Sequence, residues 1–270
     1  MDLYEEDLNA ENMERFRTKI YSIGPDKELH GPILPKNVDG LYSRHVAQRA
    51  AEKTGTDYVG HLPYSGDKNP LMRKLNNYLE NDQLTDMIIE HLTSDIEKRR
   101  TLPNNIECSN IILVCGHGGN SFIQDNIKAI SQEVKFPVTY IHPLVGLKVN
   151  HPIRGEISPG HANDCEHSIG IYLKCFNNEA YKKLNEEAAK NPEETLAQFP
   201  VLNCLSGFMM EKYFPGEEYQ KFREQSKGRE KKTLEFIENA KKGQAIFASR
   251  EVGRYFTEGN IETVIREILK

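Results

Sequence analysis

The sequence predicts an α/β protein with a mostly parallel central sheet. Three neighbouring segments carry that prediction. The run IILVC (111–115) is apolar at every position, as a strand covered on both faces of a parallel sheet must be. A glycine-rich turn, GHGGN (116–120), then leads into SFIQDNIKAISQEV (121–134), where Ile123, Ile127, Ile130 and Val134 recur at helical spacing. PVTYIH (137–142) follows as a second strand, so the three form a β-α-β unit with a right-handed crossover. Asn120 is the expected N-cap of its helix.

The elements around this unit alternate in the same way. SRHVAQRAAEKTG (43–55) reads as a helix ended by Gly55, and DYVGHLP (57–63) as a strand. LTDMIIEHLTSDIEKRR (84–100) is an amphipathic helix with Met87, Ile88, Leu92 and Ile96 on its inner side. HSIGIYLKCF (167–176) reads as a further strand, preceded by a polar cluster. From 177 to 243 the chain is dense in Glu, Lys and Asn, with apolar clusters confined to 199–214; this is expected to be a mainly helical, peripheral insertion in a single domain covering 1–270. IETVIREILK (261–270) closes the chain as a helix.

Composition narrows the function classes. With 270 residues, 38% hydrophobic and 28% charged, the chain has the make-up of a soluble globular protein. A net charge of −5 argues against a nucleic-acid partner, which leaves a basic footprint. The start, MDLYEEDLNAENMERFRTK, is acidic where a secretory leader is basic and then apolar, and no apolar run reaches the length of a membrane span. A cytoplasmic protein without a membrane partner is expected. Five cysteines, 108, 115, 165, 175 and 204, are an odd number without a CxxC pair, which fits neither a disulfide framework nor a zinc knuckle.

Three clusters could carry chemistry. His117 lies where the 111–115 strand ends, the edge at which open parallel sheets bind ligands. Its glycines serve either a tight turn alone or the close approach of a ligand, and a phosphate cradle lacking the GK[ST] ending is a weaker third reading. In IGPDKELHGPILPKNVDG (23–40), Glu28 and His30 stand two apart, which in extended chain aims both the same way, and Pro32 and Pro35 stiffen the turn that brings Asp39 back. Such rigidity suits metal ligands, which are fixed before the ion arrives. SPGHANDCEHS (158–168) crowds His161, Asp164, Glu166 and His167 together. Nitrogen and oxygen donors of this kind suit zinc, manganese or iron(II).

With these clusters in view, the sequence resembles the creatininase family of metal-dependent amidohydrolases. ELHGPILPKNVD (28–39) reproduces the family pattern E-x-H-G-x-x-L-P-x-x-x-D at the same spacing. CGHGGN is similar to the family's N-G-H-G-G-N with Cys115 in place of the first Asn, and HANDCEHS keeps His161, Ala162, Glu166 and Ser168 of H-A-G-E-x-E-T-S. GQAIFASREVGR (243–254) resembles a further family segment. The likeness spans roughly residues 20–175 and 243–270. Leu29 departs from the family's Gln, and the H and F-P-G-T signature is not visible in HLPYSGDKNPLMRKLNNY (61–78), which makes creatinine itself an unsafe substrate assignment.

The resemblance implies a three-layer α/β/α fold with a site at the strand ends, and two divalent ions per chain. Glu28 would bind one ion, His30 the other, Asp39 would bridge them and His117 would complete the first ion's set. Glu166 is either a further ligand or a base toward the attacking water, and His161 the proton shuttle to the leaving nitrogen. The implied activity is hydrolysis, by a metal-activated water, of a cyclic amide or other non-peptide C–N bond in a small polar molecule. Alternatives within the family are removal of a formyl group from a ribosylaminopyrimidine phosphate and ring opening of an oxidised inositol; outside it stands a catalytically inactive metal-binding relative. Family members usually assemble as hexamers, so a homo-oligomer is expected.

Overall fold

The computed structural model describes residues 17–67, 73, 76–101, 108–142, 144, 146–199, 201–202, 216–217 and 229–270. Cys204 and most of the apolar stretch expected at 199–214 lie outside the described residues. The chain divides into two compact units, one of Met1–Asp26, Asp39–Pro143 and Glu258–Lys270, the other of Lys27–Val38 and Leu144–Thr257.

The first unit is built on a parallel sheet. Strands β1 (Thr18–Ile23), β2 (Asp57–Leu62), β3 (Asn110–Cys115) and β4 (Val138–Ile141) lie in the order β2-β1-β3-β4. Every residue of β1 is buried, and it pairs in register with β3 from Thr18↔Asn110 to Ile23↔Cys115. On one face Tyr21, Ile23, Ile111, Leu113, Cys115, Val138 and Tyr140 share a core with α2 (Asn81–Arg100) and α3 (Phe122–Val134). Helix α2 supplies Leu84, Ile88, Leu92 and Ile96, one residue every four, which is one helical stripe. Alternation turns Ile20, Ser22, Ile112 and Val114 to the other face, where they are also buried. There α1 (Val38–Thr54) comes close enough that a Cβ on Gly116 would collide with the Asp39 carbonyl and lie 3.1 Å from Ser43 Cβ. The small residues Ala47, Ala50 and Ala51 of α1 are buried.

The β-α-β unit, the helix stop at Gly55 (φ +70) and the strand after it stand where the sequence puts them. Other readings are corrected. The central strand β1 has no counterpart in the sequence reading. Helix α1 begins at Val38 rather than 43, so Asp39 belongs to its first turn and not to the preceding loop. Asn120 does not cap α3: Ser121 precedes that helix, and the Asn120 side chain bonds the 64–66 loop instead, accepting from Gly66 N–H at 2.9 Å and donating to Tyr64 O at 3.0 Å. The closing helix, α8, runs from Arg250 to Ile268.

The second unit holds the proline-rich segment, an antiparallel pair β5 (Val149–His151) and β6 (Gly155–Ile157), and helices α4 (Asp164–Tyr172), α5 (Asn178–Lys190), α6 (Pro192–Gln198) and α7 (Arg229–Lys241). Helical character across 177–243 is thus present among the described residues. HSIGIYLKCF is not a strand. Asn163 decides this, because its side chain accepts from Cys165 N and Glu166 N and starts a helix, which Lys174 at φ 60 terminates. Ile33 of the proline-rich segment is buried with Leu184, Ala188, Leu196, Leu202, Phe236 and Ile246, so the segment is anchored in the helical core. Gly31, at φ +79, could not be replaced without a Cβ 2.9 Å from Leu202.

Candidate metal centre

In the second unit the segment ELH is held by its own backbone. Glu28 N–H donates to Lys36 O at 2.8 Å, closing the loop that the prolines stiffen, and Asn177 N–H donates to Ile33 O at 2.9 Å. Glu28 and His30 are each 1% exposed. Buried carboxylates and imidazoles in that condition require partners, since desolvation otherwise costs several kcal/mol. His161 comes to them from the turn before α4, its ring centroid 4.5 Å from that of His30. Glu166 comes from the first turn of α4, its Oε2 3.5 Å from His30 Nε2 and accepting the Ala162 N–H at 2.5 Å.

The nitrogens of these rings are assigned by their neighbours. A carbonyl only accepts, so a ring nitrogen facing one carries the proton. His30 Nδ1 donates to Glu28 O at 3.3 Å, and its Nε2 faces Glu28 Oε2 at 3.9 Å as well as Glu166. His161 Nε2 donates to Leu29 O at 2.8 Å, and its Nδ1 faces Glu28 Oε1 at 3.5 Å. Donor atoms of Glu28, His30 and His161 all lie within 4.8 Å of one another.

The first unit repeats the pattern. His117 directly precedes a short 3-10 turn (Gly118–Ser121), and Asp39 lies in the first turn of α1; both are 4% exposed. His117 Nε2 donates to Gly66 O at 3.2 Å, and Nδ1 stands 3.0 Å from Asp39 Oδ2. The Tyr78 ring meets the imidazole edge-on at 5.7 Å. His142, one residue past β4, has its pKa lowered first by burial and then by His117.

In a neutral ring, the nitrogen left after donation to a carbonyl is a lone-pair acceptor, and a carboxylate is an acceptor too. Three imidazoles that each give one N–H to the backbone and turn the other nitrogen to a carboxylate therefore need either an added proton on each ring or a cation shared by both groups. Metal-ligating histidines are set up in this way, the backbone carbonyl fixing the tautomer. The donor set fits divalent zinc, manganese or iron(II).

The other members of the 158–168 cluster serve the fold. Asp164 accepts both Arg154 Nε (2.7 Å) and Nη2 (3.0 Å), and the Phe247 N–H at 3.1 Å. His167 is fully buried, donates Nδ1–H to Asn163 O at 2.8 Å within its own helix, and is kept neutral with a pKa near 4 by burial, against the pull of that hydrogen bond. Sequence reading passed over Arg154, Gly66, Asp67, Tyr78 and His142. Local pattern carries no signal for them, because each reaches its partner from a distant point of the chain.

No family model matches the chain. The 2-amino-5-formylamino-6-ribosylaminopyrimidin-4(3H)-one 5'-monophosphate deformylase of Methanothermobacter thermautotrophicus is 30% identical over 161 residues, 58% of this chain and 65% of that protein. Its counterpart in Methanosphaera stadtmanae is 26% identical over 141 residues, 52% and 57% of the two chains. The matched region thus spans about three-fifths of the length of these relatives. Among solved structures, creatinine amidohydrolase (creatininase) superposes with a TM-score of 0.54 at 18% identity, covering 98% of this chain and 95% of that one. A manganese creatininase gives 0.55 at 17%, covering 98% and 96%, and a creatininase of Zn-Zn type gives 0.52 at 17% over the same shares.

Proposed function

For a chain that has the creatininase fold, and whose relatives bear out the resemblance to the creatininase family, we propose a metal-dependent hydrolase that removes a formyl group from an amino nitrogen of a small polar molecule of the ribosylaminopyrimidine phosphate class. The observation that carries the reading is the repeated imidazole arrangement at His30, His117 and His161, each ring giving one nitrogen to a backbone carbonyl and turning the other toward a carboxylate. The substrate class is taken from the deformylases, since likeness in fold alone identifies no substrate.

In this reading Glu28, His30, Asp39 and His117 are the ligands that the family resemblance implies for two divalent ions, with Glu166 either a further ligand or the base toward the water. Bound there, the ions would supply a Lewis acid for the formamide carbonyl and a hydrolytic water ionised near neutral pH. The chain's own part is to place and protonate. Glu166, its side chain 13% exposed against 1% for Glu28, is the carboxylate suited to accept a proton from the water. His161, its side chain 17% exposed where that of His30 is buried, delivers a proton to the departing amine from Nδ1, the Leu29 carbonyl holding the ring by Nε2. Amines are poor leaving groups unless protonated, and a positioned acid contributes roughly 10²–10⁴-fold.

The test is formate release from the formylaminopyrimidine ribotide by protein reloaded with zinc, manganese or iron(II), with creatinine run beside it. Metal-dependent formate release is expected. Binding of metal without turnover of either compound would identify an inactive relative and refute the assignment.

A further inference from the structure

The side of His117 turned away from Asp39 is also built. Its Nε2–H meets the Gly66 carbonyl, and the next residue, Asp67, brings a carboxylate to the same place. Gly119 reports how tightly this is assembled. A Cβ at that position would collide with His117 Nε2, lie 2.5 Å from Gly66 O and 2.9 Å from Asp67 Oδ2. The imidazole, the carbonyl and the carboxylate thus converge on the one spot that the glycine keeps clear.

The loop that carries them is clamped. Asn120, 1% exposed, takes the Gly66 N–H and gives its amide hydrogens to Tyr64 O, while Tyr140 OH donates to Asn120 O at 3.1 Å. From the far side Arg73 Nη1 donates to Asp67 O at 2.6 Å, and Arg73 Nη2 lies 3.1 Å from Glu80. A turn whose backbone is held at both ends in this way keeps Asp67 beside the ring.

We infer that Asp67 is a positioning residue for the metal centre: a carboxylate set behind His117 that, with the Gly66 carbonyl, holds the ring's orientation and makes Nδ1 a stronger donor to a bound cation. This rests on the reading of His117 as a metal ligand. Negative charge beside a donating N–H draws the proton outward and leaves more electron density on the opposite nitrogen, and removal of such partners weakens metal binding by roughly 10–100-fold. Asp67 does not touch substrate or the reacting atoms in this account.

The experiment is zinc affinity of the full chain after metal stripping, measured by competition with a chromophoric chelator, for the unmodified protein, Asp67→Asn, Asp67→Ala, Asp67→Glu and His117→Ala. Asn and Ala at position 67 should weaken zinc binding roughly 10–100-fold, Glu should recover most of it, and thermal unfolding of the metal-free Asn variant should match the unmodified chain. Unchanged affinity in both the Asn and Ala variants would overturn the inference while leaving the metal reading intact. A loss in the Asn variant as large as that in His117→Ala would also overturn it, by making Asp67 a ligand itself. Absence of zinc binding by the unmodified chain would remove the metal reading and this inference together.

Discussion

Arg154→Ala should be among the most damaging single changes outside the metal centre. The guanidinium is 6% exposed and paired with a carboxylate, Asp164, that is 20% exposed. It donates twice to Asp164, at 2.7 and 3.0 Å, and again to the carbonyls of Gln244 and Ala245 at 3.0 and 3.3 Å, while lying over the Phe247 ring at 5.9 Å. Truncation leaves Asp164 with the Phe247 N–H but without its counter-charge, in a place where water reaches it poorly. Removing one member of a buried pair costs about 3–5 kcal/mol, and the partial exposure of Asp164 argues for about 3. Asp164 opens helix α4, whose first turn carries Glu166, so the loss should spread to the site. Urea unfolding monitored by circular dichroism measures the loss, and hydrogen exchange at the Cys165 and Glu166 amides measures its spread. A loss under about 1 kcal/mol with unchanged exchange would refute the argument; the apolar pair Arg154→Met with Asp164→Leu should recover much of the stability, because it removes both charges together.

Stability should decline as pH falls from about 6.5 to about 4. His61 has its pKa lowered to about 4 by burial and then by Arg44, so between those values the unfolded chain takes up a proton that the folded chain refuses. The contribution is complete above the unfolded value and lost on descent, at most about 3 kcal/mol, and His61→Gln should flatten the denaturation profile in that window. Gly116→Ala should cost about 1–3 kcal/mol in a thermal or urea melt, because the new methyl meets the backbone of α1, whereas Gly118→Ala, with nothing within 4 Å of its Cβ position, should be nearly silent. His161→Ala should retain its metal by elemental analysis and lose roughly 10²–10⁴-fold in turnover. Full activity in that variant would remove the proton-delivery role.

Much of the fold was legible where local pattern and tertiary fate coincide. The apolar run 111–115 and the helical stripe after it need no distant partner to be read, and both elements form there. Strand β1 was not legible because Lys19 and Ser22 interrupt its apolar pattern, and what makes them tolerable lies elsewhere: Asp57 for Lys19 at 3.0 Å, and Tyr58 and His61 for Ser22 at 3.0 and 2.9 Å. HSIGIYLKCF looked like a strand because its apolar residues are closely spaced; the Asn163 cap, one hydrogen-bonding side chain, turned it into a helix. The segment from Glu28 to Pro35 could be read in one piece, since the closure of Glu28 N–H on Lys36 O is local, whereas the helical place of Asp39 could not. Asp67 could not, because its relation to His117 exists only once the loop after β2 is clamped onto the turn after β3.

The central claim is that these carboxylates and imidazoles are arranged around metal rather than around extra protons. Elemental analysis of gently purified protein, and of Asp39→Asn prepared alongside it, decides between the two. The account predicts close to two zinc, manganese or iron ions per unmodified chain and a clear loss in the Asn variant, with both forms folded by circular dichroism. An unmodified chain that stays metal-free even after incubation with each ion would contradict it.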